Sequence, residues 1–204
     1  MSIKRVTYFI VAAILFSALY ASGTNTWKFA SDFNGLVLLV STTDDDRSYN
    51  PFSDNFFWIS QDTAFFIIKN MEYPYRQCSS FSRQLEACDH PRIDYAARWI
   101  AMFELDAETE AKMIDVIKFL IKRGEPVDAY NSEGFTALQS VIFANRPRLV
   151  SLILEAGANP YLPVKGESKY QGKNSVEMVE FLSTENVDRF LKLKVSFYEK
   201  LPTN

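Results

Sequence analysis

The sequence is poor in the side chains from which most catalytic and metal sites are built. Its 204 residues include one histidine, His90, and two cysteines, Cys78 and Cys88. A single histidine excludes sites with several imidazole ligands, and the cysteines lack the CxxC spacing of zinc sites. We therefore expect no metal site and no cofactor.

Glycine is also scarce, and its distribution argues against further kinds of site. The seven glycines are scattered, so no glycine-rich loop can cradle a phosphate, and no G-x-S-x-G elbow occurs. The acidic segment 44–46 lacks the glycine and the later glutamate of a calcium loop, and we interpret it as a solvated loop. A Cys88–His90 nucleophile would need a special loop and a free thiol, so we interpret His90 as a surface residue. The sequence therefore predicts a protein that is not an enzyme.

The chain has no excess of positive charge. Its formal net charge is −3 and its isoelectric point is near 5.3. Proteins that bind nucleic acid without regard to sequence rely on a basic face. We therefore expect no nucleic-acid partner.

Only one long apolar run is present, close to the amino terminus. Lys4 and Arg5 precede the run 6–21, which has about 16 residues, whereas a membrane-spanning helix needs about 20. Small residues follow at 21–23, and this order is typical of a secretory signal peptide, which we place at residues 1–23. The expected location is the periplasm or the exterior. The alternative is an uncleaved segment that anchors the protein in the inner membrane, facing the periplasm.

The two cysteines depend on that location. In an oxidising compartment an even number of cysteines favours a bridge, which would join Cys78 to Cys88. Closing a loop of this size contributes about 3 kcal/mol in the chain-entropy model. The alternative is a pair of unpaired thiols.

What the sequence does contain is an internal repeat. Gly124 and Gly157 lie 33 residues apart, and each follows a run of apolar residues at helical spacing, in the similar segments 113–128 and 146–161. Between these segments, residues 131–139 read Asn-Ser-Glu-Gly-Phe-Thr-Ala-Leu-Gln. Self-similarity at this period indicates a solenoid of stacked repeats.

Several residues of the repeat have a local role that follows from their chemistry. Gly134 suits a tight turn with positive φ, and Thr136 can cap the helix that follows it. Asn145 tolerates the left-handed conformation that ends a helix, and Pro147 suits the first turn of the next one. Gly157 ends that second helix. Each repeat is therefore expected to be a pair of short helices.

This pattern resembles the ankyrin repeat, with Asn145 at a position where that family usually has glycine. The resemblance implies an all-α fold, a short ankyrin-type solenoid of stacked helix-turn-helix repeats with an irregular, aromatic-rich N-terminal part. Residues 24–92 would be a degenerate N-terminal repeat or capping region, and residues 93–204 the ankyrin-repeat region.

The flanking repeats are predicted with less regular boundaries. We expect a first helix at 94–103 with Ala96, Ala97, Trp99 and Ile100 inward, then a small insertion at 106–110. The last repeat is predicted to have helices at 172–182 and 186–194, the second with Val187, Phe190 and Leu191 inward, after a finger lengthened near 165–171. The segment 54–70 is predicted to be a helix with Phe57, Trp58, Phe65 and Ile68 inward, or else two strands, 56–59 and 65–68.

Proteins with ankyrin repeats usually bind partners through the tips of the fingers that connect repeats and through the exposed side of the first helices. Transferred to this sequence, the resemblance implies a protein-binding set at Tyr130, Ser132, Glu133, Phe135, Phe143 and Tyr170. The alternative for Phe135 and Phe143 is that they simply pack against neighbouring repeats.

These observations predict an exported, non-enzymatic protein-binding module whose partner is another protein. Some exported bacterial proteins with this repeat are thought to act as immunity partners or inhibitors of secreted toxins, and the resemblance permits that role. One alternative is a ligand-binding or catalytic pocket in the segment 50–91. Another is a membrane-anchored envelope protein with a stress-protection or scaffold role, so a membrane is a partner only if the N-terminal segment is uncleaved.

Overall fold

The computed structural model describes residues 3–42, 59–76, 78, 82–83 and 90–201. Most of these residues are helical, no strand occurs among them, and their one β-bridge joins Tyr130 to Thr136. The all-α prediction is therefore confirmed for the described part of the chain. The chain divides into two compact units, Met1–Leu85 and Glu86–Asn204.

The first unit is built around a short buried helix. Helix α1 spans Ile3–Ala30, α2 spans Phe33–Ser41, α3 spans Gln61–Asn70, and a 3-10 turn follows at Tyr73–Tyr75. Nearly all of α2 is buried, and it packs against both α1 and α3. Gly35 allows this packing, because a Cβ there would lie 1.8 Å from the backbone oxygen of Phe29.

The segment after α2 is helical where the structure describes it. Helix α3 begins after Ser60, whose hydroxyl accepts from the backbone N–H of Thr63, and it buries Ile68. The alternative of a strand at 65–68 is therefore wrong, and the helix begins at Gln61 instead of 54. Phe57 and Trp58, predicted to face inward, lie outside the described residues.

Helix α1 continues through the predicted signal-peptide exit at 21–23 and ends at Ala30. Among its described side chains, six large apolar ones are exposed to solvent, namely Ile14, Leu15, Phe16, Leu19, Tyr20 and Trp27. Among the described residues no helix is both long enough and apolar enough to span a bilayer.

The second unit consists of three helical hairpins in two layers. The first helices of the hairpins are α4 (Arg92–Met102), α6 (Ala137–Phe143) and α8 (Ser175–Glu185). The second helices are α5 (Ala107–Arg123), α7 (Pro147–Glu155) and α9 (Val187–Lys200). Each first helix packs on its own partner, and α6 lies between α4 and α8, while α9 packs on α7. The first helices thus form one layer of the stack.

The local predictions for the central hairpin are confirmed. Thr136 and Gln139 form a capping box at the start of α6, and Pro147 occupies the first turn of α7. Asn145, Gly134 and Gly157 have φ values of 55°, 78° and 89°, the left-handed region that these residue types tolerate best. Leu138, Val150 and Ile153 are fully buried in the core between the two layers.

The flanking hairpins depart from the sequence prediction in two places. Residues 107–110 are the first turn of α5 and not an insertion, because Asp106 caps the helix by accepting from the N–H groups of Glu108 and Thr109. In α9 the buried residues are Phe190, Leu193 and Phe197, whereas Val187 and Leu191 are exposed. Both side chains lie on the part of α9 that its packing against α7 and α8 leaves exposed.

Candidate functional site

Two loops project from the layer of first helices. We call residues 130–136 the first finger and residues 164–173 the second finger. In the first finger the Asn131 side-chain oxygen accepts from the N–H groups of Glu133 and Phe135, and the Asn131 N–H donates to the Phe135 carbonyl. These bonds close a tight turn in which Gly134 takes the positive φ. The turn holds the Glu133 and Phe135 backbones in a defined position.

A buried carboxylate fastens the first finger to the helices. Asp94 lies in the first turn of α4 and is fully buried. Its Oδ1 accepts from the Ser140 hydroxyl of α6 at 2.6 Å, and its Oδ2 accepts from the Asn131 side-chain amide at 3.0 Å. Buried charges are tolerated when hydrogen-bonded in this way. One side chain therefore links α4, α6 and the first finger.

His90 lies beside this network, between Asp94 and Ser132, and the three side chains follow one another in the order of an Asp-His-Ser catalytic triad. Its Nδ1 is 3.9 Å from Asp94 Oδ2, and its Nε2 is 3.4 Å from the Ser132 hydroxyl. The first distance is too long for a hydrogen bond, and both Asp94 oxygens already accept from other donors. In this geometry His90 packs on the finger and has no hydrogen bond through which the carboxylate could orient it as a base.

The two fingers are attached to each other. Lys165 donates its backbone N–H to the Gly134 carbonyl at 2.9 Å, and the Tyr130 hydroxyl donates to the Pro163 carbonyl at 2.8 Å. The ammonium of Lys165 lies 3.9 Å from the centre of the Tyr130 ring, a cation–π contact. Burial, and then the nearby Asp128 carboxylate, raises the pKa of Tyr130. Tyr130 therefore serves the joint between the fingers.

An apolar groove of about 400 Å³ lies between the fingers and the first helices. Its lining comes from α4, the first finger, the end of α6 and the second finger: Arg98, Ala101, Met102, Glu133, Phe135, Ser140, Phe143, Ala144, Ser168 and Tyr170. No second helix contributes to this lining. The groove therefore belongs to the face that the first-helix layer presents to solvent.

Two of the lining side chains are large, apolar and exposed. Phe143 is 55% exposed and Met102 is 68% exposed. The Phe143 ring meets the Tyr170 ring edge-on at 5.7 Å between centroids, and Tyr170 in turn meets Phe181 of α8 at 5.8 Å. Tyr170 is only 4% exposed. Tyr170 packs against Phe143 and closes one side of the groove. The sequence predicted an exposed contact at the tip of the finger instead.

The ends of the groove carry charge. Arg98 donates to the Glu133 carboxylate at 2.7 Å. At the other end Lys169 lies 5.0 Å from the Tyr170 ring centre and 3.6 Å from Glu185. Hydrogen bonding to Tyr170, followed by the Glu185 carboxylate, raises the pKa of Lys169. Both ion pairs face solvent, so neither contributes much to the stability of the fold.

The groove collects four of the six residues that the sequence assigned to protein binding. Glu133, Phe135, Phe143 and Tyr170 all line it. Tyr130 and Ser132 do not, because Tyr130 joins the fingers and Ser132 faces His90. Sequence reasoning missed the α4 side of the groove, Arg98, Ala101 and Met102. The sequence contained a signal for this side of the groove. Arg98 and Met102 lie one helical turn apart, on the side of the helix opposite the buried Ala96, Ala97 and Ile100.

Three other predicted features lie wholly or partly outside the described residues. The acidic loop 44–46 is outside them, and so is Cys88, so the Cys78–Cys88 bridge stays a prediction. Much of the segment 50–91 is outside as well, and the pocket predicted there stays an alternative. Within the part of the chain that the structure describes, no cluster of three or more His, Cys, Asp or Glu side chains could hold a metal ion.

Polar side chains join α9 to α8, and we call Glu180, Lys194 and Tyr198 the clamp. Glu180 of α8 accepts from the ammonium of Lys194 at 2.7 Å and from the Tyr198 hydroxyl at 2.5 Å. These hydrogen bonds lower the pKa of Glu180, with that to Lys194 the larger cause. Burial, followed by the hydrogen bond to Glu180, raises the pKa of Tyr198 to about 12. The clamp joins α9 to α8 on the outer side of the stack.

No family model, no curated protein and no solved structure matches this chain.

Proposed function

We propose that residues 93–204 form a short ankyrin-type solenoid. The repeat of 33 residues between Gly124 and Gly157 supports this, together with the two layers of helices and the fingers between hairpins. Four glycines with positive φ recur in pairs: Gly124 and Gly157 follow second helices, and Gly134 and Gly172 lie in the fingers. Each hairpin buries its apolar face only against its neighbours, which is how such arrays are stabilised.

The proposed activity is binding of another protein, without catalysis, through the groove. The observation that carries it is the exposure of Phe143 and Met102 side by side in a groove whose walls are held rigid by buried bonds. Large apolar side chains at the centre of a concave surface are typical anchors of interfaces. Covering these two side chains would contribute about 1 kcal/mol or more each.

The proposed location is the periplasm or the exterior, reached through a signal peptide at residues 1–23. The basic start and apolar run of the sequence support it, and so does the set of large apolar side chains that α1 exposes. In that compartment the module would serve as an immunity partner or inhibitor of a secreted toxin. Retention of α1 as an anchor in the inner membrane is the alternative.

Site-specific photo-crosslinking in the protein's own cells tests the binding proposal. A benzophenone derivative of phenylalanine replaces Phe143 in the full chain, and a matched protein carries it at Leu191 of α9, where the native side chain is equally exposed at 55%. We expect a discrete protein adduct from position 143 and none from position 191. Adding Met102→Lys, which places a charge in the groove, should abolish the adduct while circular dichroism stays unchanged.

Equal adducts from positions 143 and 191, or none from position 143, would contradict binding in the groove. An adduct that survives Met102→Lys would show that Met102 does not take part in the contact. Fractionation of the same cells separates soluble periplasmic protein from anchored protein.

A further inference from the structure

We infer that the groove takes an acidic segment of a partner protein, which inserts one aromatic or long aliphatic side chain between Met102 and Phe143. The inference rests on the proposed binding function and specifies the class of partner. The observation that supports the inference is a cluster of positive charge at one end of the groove. The chain as a whole has a net charge of −3, yet the second finger contains Lys165, Lys169 and Lys173 and a single carboxylate, Glu167.

Two of these lysines are placed where an occupant of the groove would meet them. The Lys169 ammonium lies over the Tyr170 ring that forms the end wall, and it is also 5.5 Å from the Phe181 ring centre. The Lys173 ammonium lies 5.5 Å from the same Phe181 ring. Both ammonium groups therefore lie close to the Phe181 ring, which extends the aromatic surface of the groove from Phe143 towards α8.

The positive charge of this end is not cancelled within the described part of the chain. Lys169 pairs with Glu185 at 3.6 Å, and both side chains of the pair are more than half exposed. Such pairs are weak and exchange readily with a competing carboxylate. None of the ion pairs among described residues includes Lys173. An incoming carboxylate would find two ammonium groups within reach.

The other end of the groove does not oppose an acidic occupant. The Glu133 carboxylate is engaged by Arg98 at 2.7 Å, so its charge is neutralised locally. Between the two ends the lining is apolar, and a volume of about 400 Å³ accommodates one large side chain with its backbone. Complementary charge sets specificity and the rate of encounter, while the apolar anchor supplies most of the affinity.

Three fluorescent octapeptides test the inference against the purified full chain by fluorescence anisotropy. The first has a central tryptophan–leucine pair flanked by glutamates, the second has lysines in place of the glutamates, and the third keeps the glutamates but has glycines at the centre. We expect the first to bind about tenfold more tightly than either of the others. Its advantage over the second should shrink as salt screens the charges.

Two charge-reversal variants test whether Lys169 and Lys173 are responsible for the preference for the acidic peptide. Lys169→Glu with Lys173→Glu should weaken binding of the glutamate–tryptophan peptide about tenfold. The control, Lys118→Glu with Lys192→Glu, changes the net charge equally on exposed positions of second helices that do not line the groove. It should bind as the native chain does, and thermal unfolding verifies that both proteins are folded.

Equal binding of the glutamate and lysine peptides, a preference for the lysine peptide, or no measurable binding of any peptide would overturn the inference. Weakening by the control pair to the same extent would also overturn it. These failures are distinct from failure of the proposed function. A protein adduct at position 143 combined with no preference for acidic peptides leaves the binding function standing and removes only the acidic partner.

Discussion

Among single residues, Asp94 has the largest influence on where the first finger lies. Its two oxygens accept from side chains of the finger and of α6, which are 37 and 46 residues away in sequence. Removing the carboxylate would leave the Ser140 hydroxyl without its acceptor and the Asn131 amide with only a long hydrogen bond, 3.5 Å, to the Ser140 oxygen. Unsatisfied buried polar groups cost more than the hydrogen bonds contribute.

We therefore expect Asp94→Ala to lower the free energy of unfolding by about 2–4 kcal/mol. The measurement is urea unfolding of the full chain followed by circular dichroism. Asp115→Ala is the matched control, because Asp115 is an exposed helical carboxylate paired only with Lys118, and its removal should cost about 0.5 kcal/mol or less. Equal losses for the two proteins would show that the Asp94 network contributes little.

At the scale of structural elements, the fingers stack because two glycines allow their backbones to touch. A Cβ at Gly166 would lie 1.7 Å from the Glu133 carbonyl oxygen, and one at Gly134 would lie 2.1 Å from the Gly166 nitrogen. Only a change in the backbone could relieve such contacts. The same approach supports the Lys165–Gly134 hydrogen bond between the fingers.

Gly166→Ala should accordingly separate the fingers and destabilise the protein by about 1–3 kcal/mol, the usual cost of overpacking. Gln171→Ala, in the same finger but exposed, serves as the control and should change stability little. Thermal unfolding of both proteins provides the comparison. A Gly166→Ala protein as stable as the control would mean that the fingers can shift apart without cost.

The clamp between α8 and α9 predicts a dependence on pH. The folded-state pKa of Glu180 is lowered from its ordinary value of 4.5 by Lys194 and Tyr198. A lowered folded-state pKa stabilises the protein above the unfolded pKa, and that stabilisation is lost as the pH falls through the folded value. Glu180→Gln should therefore melt at a lower temperature than the native chain at pH 7.

The two melting temperatures should converge as the pH falls below about 4.5. Glu199→Gln removes an exposed charge from α9, the other helix of the clamp, without breaking the clamp, and it should not show this convergence. If the difference between Glu180→Gln and the native chain is the same at pH 7 and at pH 3, the carboxylate does not act through its charge.

For the whole molecule, the chain divides into a unit of stacked helical hairpins and an N-terminal unit with different packing. The hairpins of Glu86–Asn204 are stabilised by contacts between successive helices, whereas Met1–Leu85 is organised around the buried helix α2. The proposed export would leave two chemical marks, a shortened α1 after signal removal and the oxidation of Cys78 and Cys88.

We expect protein recovered from the periplasm or the medium to have an intact mass that corresponds to loss of residues 1–23. Under denaturing conditions its cysteines should resist alkylation until a reductant is added. Mass spectrometry measures both properties in one sample. The full-length mass would favour the anchored alternative, and two alkylated cysteines before reduction would exclude the bridge.

The sequence alone determined the features that depend on local chemistry. Thr136, Pro147, Asn145 and Gly157 specify the caps and turns of the central hairpin, because each residue type fits a backbone conformation that few others tolerate. The 33-residue spacing then implied that hairpins repeat. The predicted caps and turns of the central hairpin agree with the structure.

Only the tertiary structure decided which side chains meet and which remain exposed. Met102 and Phe143, 41 positions apart in the numbering, line one groove because α4 and α6 lie side by side. Tyr170, predicted to be exposed at the tip of a finger, is instead buried, because the rings of Phe143 and Phe181 pack against it. Val187 and Leu191 have the same helical spacing as core residues, yet they remain exposed because α7 and α8 pack against other residues of α9. Burial depends on the presence of a neighbour, and periodicity along one helix does not contain that information.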